Sequence, residues 1–136
     1  MEKLSKKEME EQGLLKDPVE YVGNMKGPYD YTKDEVDSHV AQKTKNGNYR
    51  TGKLNQEGFF VPYYVGRGIV NERLKKHLDE GFDDTHFKYI YEADEKTSYE
   101  IECAGYHYFR KQLRNKIHPR KPDGMEDTVK CPFCGE

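Results

Sequence analysis

The sequence predicts an α+β fold, a small three-stranded antiparallel sheet flanked by helices. Three observations carry this reading. Residues 48–54 and 59–65 can each extend as strands around the turn Asn55-Gln56-Glu57-Gly58, which is a hairpin pattern. Residues 86–91 (HFKYIY) alternate polar and apolar side chains, as a half-buried strand does. Two helical stripes follow strands: Val70, Leu74 and Leu78, then Tyr99, Tyr106, Phe109 and Leu113.

The elements follow in order. Residues 1–12 read as a charged helix closed by Gly13, with Leu4 and Met9 its only strong apolar residues. Residues 16–31 carry two Pro and two Gly and read as an irregular connector. Thr32 is an N-cap with Glu35 as its capping-box partner, opening a helix to about Gln42. Residues 43–47 are a polar break before the hairpin. Pro62 removes one ladder donor from the second strand, so a bulge or an unpaired position is expected there. Residues 69–80 form a helix that Gly81 ends, and residues 95–113 form the longest helix. Beyond Pro119 the chain is irregular and ends in CPFCGE. The organisation is an N-terminal helical extension (1–46), a core (47–118) and a C-terminal tail (119–136).

With 136 residues, 34% hydrophobic and 35% charged, the chain has room for one domain with a modest core. Its 11 tyrosines can bury rings at the edge of a polar site and keep their hydroxyls wet. The net charge of −2 does not call for a polyanion partner, but its distribution is uneven. Residues 1–37 hold ten Asp/Glu against six Lys, whereas residues 110–121 hold six Lys/Arg and no acid. Such a basic segment can touch phosphates, or be a solvated helix end. No apolar run approaches a bilayer span, so no membrane partner is expected. The N-terminus is too polar for a signal peptide and three cysteines make no disulfide framework, so a cytoplasmic, reducing location is expected.

Three groups of side chains carry chemistry. Arg73 and His77 are four residues apart, on one helical face at the rim of the core. Glu102 falls inside the stripe of the long helix, three residues from Tyr99 and four from Tyr106. A carboxylate placed there costs several kcal/mol unless it pairs with a cation, Arg73 or another, or holds a metal. Tyr49 and Tyr64 sit on the two hairpin strands, where their rings can meet at one patch near the following helix.

These residues resemble the GIY-YIG nuclease family. The resemblance runs through Gly47-Asn48-Tyr49, fourteen intervening residues, Tyr64-Val65-Gly66, Arg73, His77 and Glu102. The stretch YVGRGIVNERLKKHL is most similar to phage homing endonucleases. Asn48 stands where the family has an apolar residue, and Pro62 lies between the tripeptides. The resemblance implies a metal-dependent endonuclease acting on DNA. Glu102 would hold Mg²⁺ or Mn²⁺, Arg73 would face the phosphate, and Tyr49 or Tyr64 would accept a proton. His77 would orient a tyrosine or contact phosphate. The family's closing asparagine falls at Asn115. Arg67, Arg110, Lys111, Arg114, Lys116, Arg120 and Lys121 would steer the nucleic-acid backbone. One such site cuts one strand, so double-strand cleavage would need a homodimer or two encounters.

Cys131 and Cys134 form a C-x-x-C that looks like one knuckle of a zinc ribbon, or a pair of free thiols. Tetrahedral Zn²⁺ needs two more ligands, from Cys103, His107, His118, His86 or another chain. The competing readings of the chain are a non-catalytic nucleic-acid-binding module and a zinc-ribbon interaction protein.

Overall fold

The structure, a computed structural model, describes residues 2–136. The first helix, α1, spans Lys6–Gln12, starting later than expected because Ser5 and Glu8 close a capping box. Met1, where the sequence reading began this helix, lies outside the described residues. Gly13 ends α1 in the left-handed conformation.

Residues 16–31 hold more structure than their Pro and Gly content predicts. A 3-10 turn, Pro18–Tyr21, is followed by strand β1, Lys26–Asp30. The sheet therefore has four strands rather than three. β1 pairs antiparallel with β4 (His86–Tyr91), with a register slip between Lys26 and Tyr29. It is an edge strand with one neighbour, and only there can the missing N–H of Pro28 be tolerated.

The hairpin comprises β2 (Asn46–Leu54) and β3 (Phe60–Ile69), and the strand order is β1-β4-β2-β3. β2 is thus central, and its residues from Gly47 to Gly52 are buried. At Pro62 the ladder slips: Thr51 faces Tyr64 while Gly52 faces Pro62, leaving Tyr63 as the extra residue. That is the bulge the proline predicts.

α2 (Lys33–His39) and α3 (Val70–Leu78) cover one face of the sheet, where Val36, Val40, Val70 and Leu74 pack with Tyr49, Phe87 and Tyr89. Thr32 caps α2 by accepting from the Glu35 N–H, but the Glu35 carboxylate turns to His39 instead of closing the box. α4 (Glu95–Tyr108) covers the other face and ends before Leu113, which is buried all the same. Behind α4, Val129, Cys131 and Phe133 of the tail join Val22, Tyr99 and Cys103 in a second cluster. Complete burial of a side chain such as Phe133 is worth about 1.5–3 kcal/mol, so a segment without helix or strand can still be anchored. No helix among the described residues is long and apolar enough to cross a membrane.

Candidate active site and metal cluster

A cleft of about 410 Å³ opens where β3 leaves the sheet for α3 and β4 for α4. Tyr49, Tyr64, Arg73 and Glu102 all line it, from four separate elements, together with Arg67, Arg120 and Lys121. Two glycines make this convergence sterically feasible. A Cβ on Gly66 would lie 2.4 Å from the Tyr49 hydroxyl, so the phenol can rest there only over a bare backbone. Gly68, at φ +138°, has the Arg73 side chain over it, with Nε 2.9 Å from where a Cβ would be. Arg73 is exposed and makes no ion pair among the described residues, so its charge is free for a ligand.

Tyr49 lies opposite Gly66, and Tyr64 opposite Thr51, which sets the two rings diagonally on one face, centroids 6.3 Å apart. The Tyr49 hydroxyl lies 2.8 Å from His77 Nε2, and His77 Nδ1 lies 2.8 Å from a Glu80 carboxylate oxygen. Only one assignment satisfies both contacts with a neutral ring. Nδ1–H donates to Glu80, and Nε2 accepts from the Tyr49 O–H. Burial lowers the His77 pKa below its ordinary 6.5, against the opposing pull of Glu80, and so favours that neutral ring. Burial also pushes the Tyr49 phenol well above its usual range. His77 therefore stands behind the tyrosine, not in the cleft. Glu80 was not read from the sequence as part of a site. Its spacing of three from His77 on a helix is the signal that could have found it.

Glu102 projects from α4 and pairs with Arg67 of β3, in a contact that leaves the side chains 12% and 20% exposed respectively. Arg67 also donates to the carbonyl of Arg120 and lies over the Tyr99 ring, 5.3 Å from its centroid. Burial raises the Glu102 carboxyl above its ordinary range even with the guanidinium beside it. The acid thus has a cationic partner, but it is Arg67 from β3 and not Arg73 from α3.

The other basic residues read as nucleic-acid contacts are dispersed. Arg114 makes a two-point ion pair with buried Asp84, at 2.9 and 2.7 Å, so its charge is neutralised within the fold. Lys111 faces Glu8 at 3.8 Å, Arg110 lies over the Tyr106 ring, and Lys116 is exposed. Asn115 is not in the cleft. Its amide binds both backbone groups of Val65, accepting from N–H at 3.0 Å and donating to C=O at 2.9 Å. Asn48 is buried and exchanges two hydrogen bonds with Ser98, fixing the first turn of α4 on the sheet.

Away from the cleft, His107, His118, Cys131 and Cys134 bring their ligand atoms within 4.8 Å of one another. A cluster of two imidazoles and two thiols can hold a metal such as zinc. Neither Cys103 nor His86 belongs to it: Cys103 lies in the core beside Cys131, and His86 pairs with Asp30 at 3.2 Å.

No protein-family model, no curated protein and no solved structure matches this chain.

Proposed function

We propose that this chain is a metal-dependent endonuclease that hydrolyses a DNA phosphodiester at a GIY-YIG-like site. The observation that carries the reading is the convergence of Tyr49, Tyr64, Arg73 and Glu102 on one solvent-open cleft. The spacing of a catalytic set and a shared cleft are independent features, and both support the same chemistry.

The residues fit a hard dication. Glu102 is a buried carboxylate already paired with Arg67, so a dication would share or displace that guanidinium, and Glu92, Glu95 and Asp123 line the same cleft to receive its bound waters. Mg²⁺ or Mn²⁺ held by Glu102 would polarise the phosphate and neutralise charge on the leaving oxygen. The chain's own groups supply the rest. Arg73, unpaired and exposed, binds the non-bridging oxygens, where negative charge builds in the transition state. Tyr49 accepts a proton from the attacking water as its own proton passes to His77 Nε2, and Glu80 stabilises the resulting imidazolium. The new P–O bond forms from the water oxygen, the ester P–O bond breaks, and the leaving alkoxide is protonated from solvent. A phenol with a raised pKa makes a poor base alone, so the handover to His77 is what makes Tyr49 usable. Arg120 and Lys121 at the rim engage flanking phosphates.

One observation favours a second reading, a non-catalytic DNA-binding module: Arg67 already neutralises Glu102. The two separate in one assay. Supercoiled plasmid is incubated with the chain in EDTA, Mg²⁺ or Mn²⁺, and nicking is followed beside a gel shift. The nuclease reading expects nicking only with a dication. A shift without nicking in either cation would leave the binding module standing.

A further inference from the structure

We propose that His107, His118, Cys131 and Cys134 form a structural zinc centre that fixes one wall of the cleft. Three observations lead there. The first is geometry. Cys131 Sγ lies 3.6 Å from His107 Nε2, and Cys134 Sγ lies 3.4 Å from His118 Nε2. Bond lengths of about 2.3 Å to sulfur and about 2.0 Å to nitrogen place S and N about 3.5 Å apart on a tetrahedral ion.

The second is the orientation of the two imidazoles. The Gln12 amide NH₂ donates to the His107 carbonyl at 2.9 Å, which turns Gln12 Oε1 toward His107 Nδ1, also at 2.9 Å. Nδ1 must then carry the proton, and Nε2 presents a lone pair to Cys131. His118 does the same, with Nδ1 3.1 Å from the Pro119 carbonyl and Nε2 directed at Cys134. Both rings are thus held in the one tautomer that lets Nε2 ligate, the second-shell pattern of metal-binding histidines.

The third is what the cluster joins. His107 is on α4, five residues after Glu102, and His118 is two residues before Arg120. The Arg120 carbonyl receives the same Arg67 that holds Glu102, and Lys121, Pro122 and Asp123 line the cleft. The segment 118–123 lacks helix and strand. A tetrahedral ion would tie it to α4 at one end and to the Cys131–Cys134 turn at the other. That turn is closed by Gly135 N–H donating to the Cys131 carbonyl at 2.9 Å. Binding would release the two thiol protons to solvent, leaving zinc on two thiolates and two neutral imidazoles. Glu136, 3.7 Å from both Cys134 Sγ and His118 Nε2, borders the cluster without belonging to it.

The metal assignment is independent of the nuclease reading, on which only the consequence for catalysis rests. The test uses the full chain, purified without chelator from zinc-supplemented cells. Elemental analysis should give one zinc per chain, and cobalt exchanged into the site should show the visible absorption of a tetrahedral S₂N₂ centre. Gln12→Ala, which touches no proposed ligand sulfur and spares the core, should weaken zinc binding about 10–100-fold through the loosened His107 ring. Chelation should lower the heteronuclear NOE of the backbone amides of His118, Arg120, Lys121 and Asp123 to flexible-chain values while the β2 amides keep theirs. A folded chain with no zinc and no cobalt spectrum overturns the centre. An unchanged heteronuclear NOE in that segment on chelation overturns the wall. If zinc behaves as expected and no plasmid is cut, the nuclease reading fails and the centre stands. If a zinc-free, folded chain cuts at full rate, the coupling to the cleft fails and the nuclease reading stands.

Discussion

At the scale of single residues, the hydrogen-bonded chain Tyr49–His77–Glu80 is the most tightly determined feature beside the cleft. Two 2.8 Å contacts fix the imidazole tautomer, and burial keeps that ring neutral. The pH dependence follows with a definite sign. In the proposed mechanism His77 acts in its neutral form, and burial lowers its pKa from 6.5, so it would be ready above that pH and lost as pH falls through its lowered value. Glu102 must be ionised to hold a cation, and its pKa lies above 4.5, so it too loses function on acidification. Cleavage should therefore fall on the acid side, with no contribution from His77 above 6.5. Glu80 raises the His77 pKa, so Glu80→Gln should move the His77 titration lower still, as read by NMR of the ring carbon protons. A titration midpoint above 6.5, or one that rises in Glu80→Gln, would contradict the buried, neutral ring and its Glu80 contact. That Tyr49, Arg73 and Glu102 lie near one another was legible in residue types and spacing, because each is a charged or phenolic group at a fixed offset on a strand or helix. The Arg67 partner of Glu102 was not, because nothing local says which of two cations reaches across the sheet edge.

At the scale of elements, β3 is an edge strand whose outward backbone groups would otherwise be open. The segment after α4 closes them: Gln112 donates to the Pro62 carbonyl, the Arg114 N–H to that of Tyr63, and Asn115 binds both groups of Val65. Tyr64, a wall of the cleft, lies between two of these braced residues. Asn115→Ala removes both side-chain bonds to Val65 and should cost about 1–3 kcal/mol in urea denaturation, with cleavage lost only in proportion to Tyr64 disorder. Stability equal to the wild type would show that the brace is dispensable. The hairpin, its bulge and α3 were legible because Pro62, the turn 55–58 and the Val70/Leu74/Leu78 stripe are local signals. β1 was not. Gly27 and Pro28 break its alternation, and its pairing with β4 is a long-range choice made by the open edge of that strand. The end of α4 was overread for a related reason. Leu113 is buried as the stripe predicts, but by a turn past Tyr108 and not by continued helix.

At the scale of the whole molecule, one sheet separates two hydrophobic layers, and the cleft opens at the end where both layers contribute side chains. The α3 face supplies Tyr49, Tyr64 and Arg73, and the α4 face supplies Arg67 and Glu102. The His/Cys cluster, which could hold a metal, lies behind α4, where an ion would join that helix to the tail. The C-x-x-C was visible in the sequence, whereas the choice of His107 and His118 over Cys103 and His86 depends on how residues 118–134 fold back on α4. The proposed hydrolysis requires Glu102 as an ion-holding acid. The most direct measurement is single-turnover nicking by Glu102→Gln at DNA concentrations that saturate binding, beside the wild type in Mg²⁺. The isosteric amide still accepts from Arg67, so the fold and DNA affinity should hold while the rate falls at least about 100-fold. Nicking by Glu102→Gln at the wild-type rate would contradict the claim that this carboxylate holds the ion.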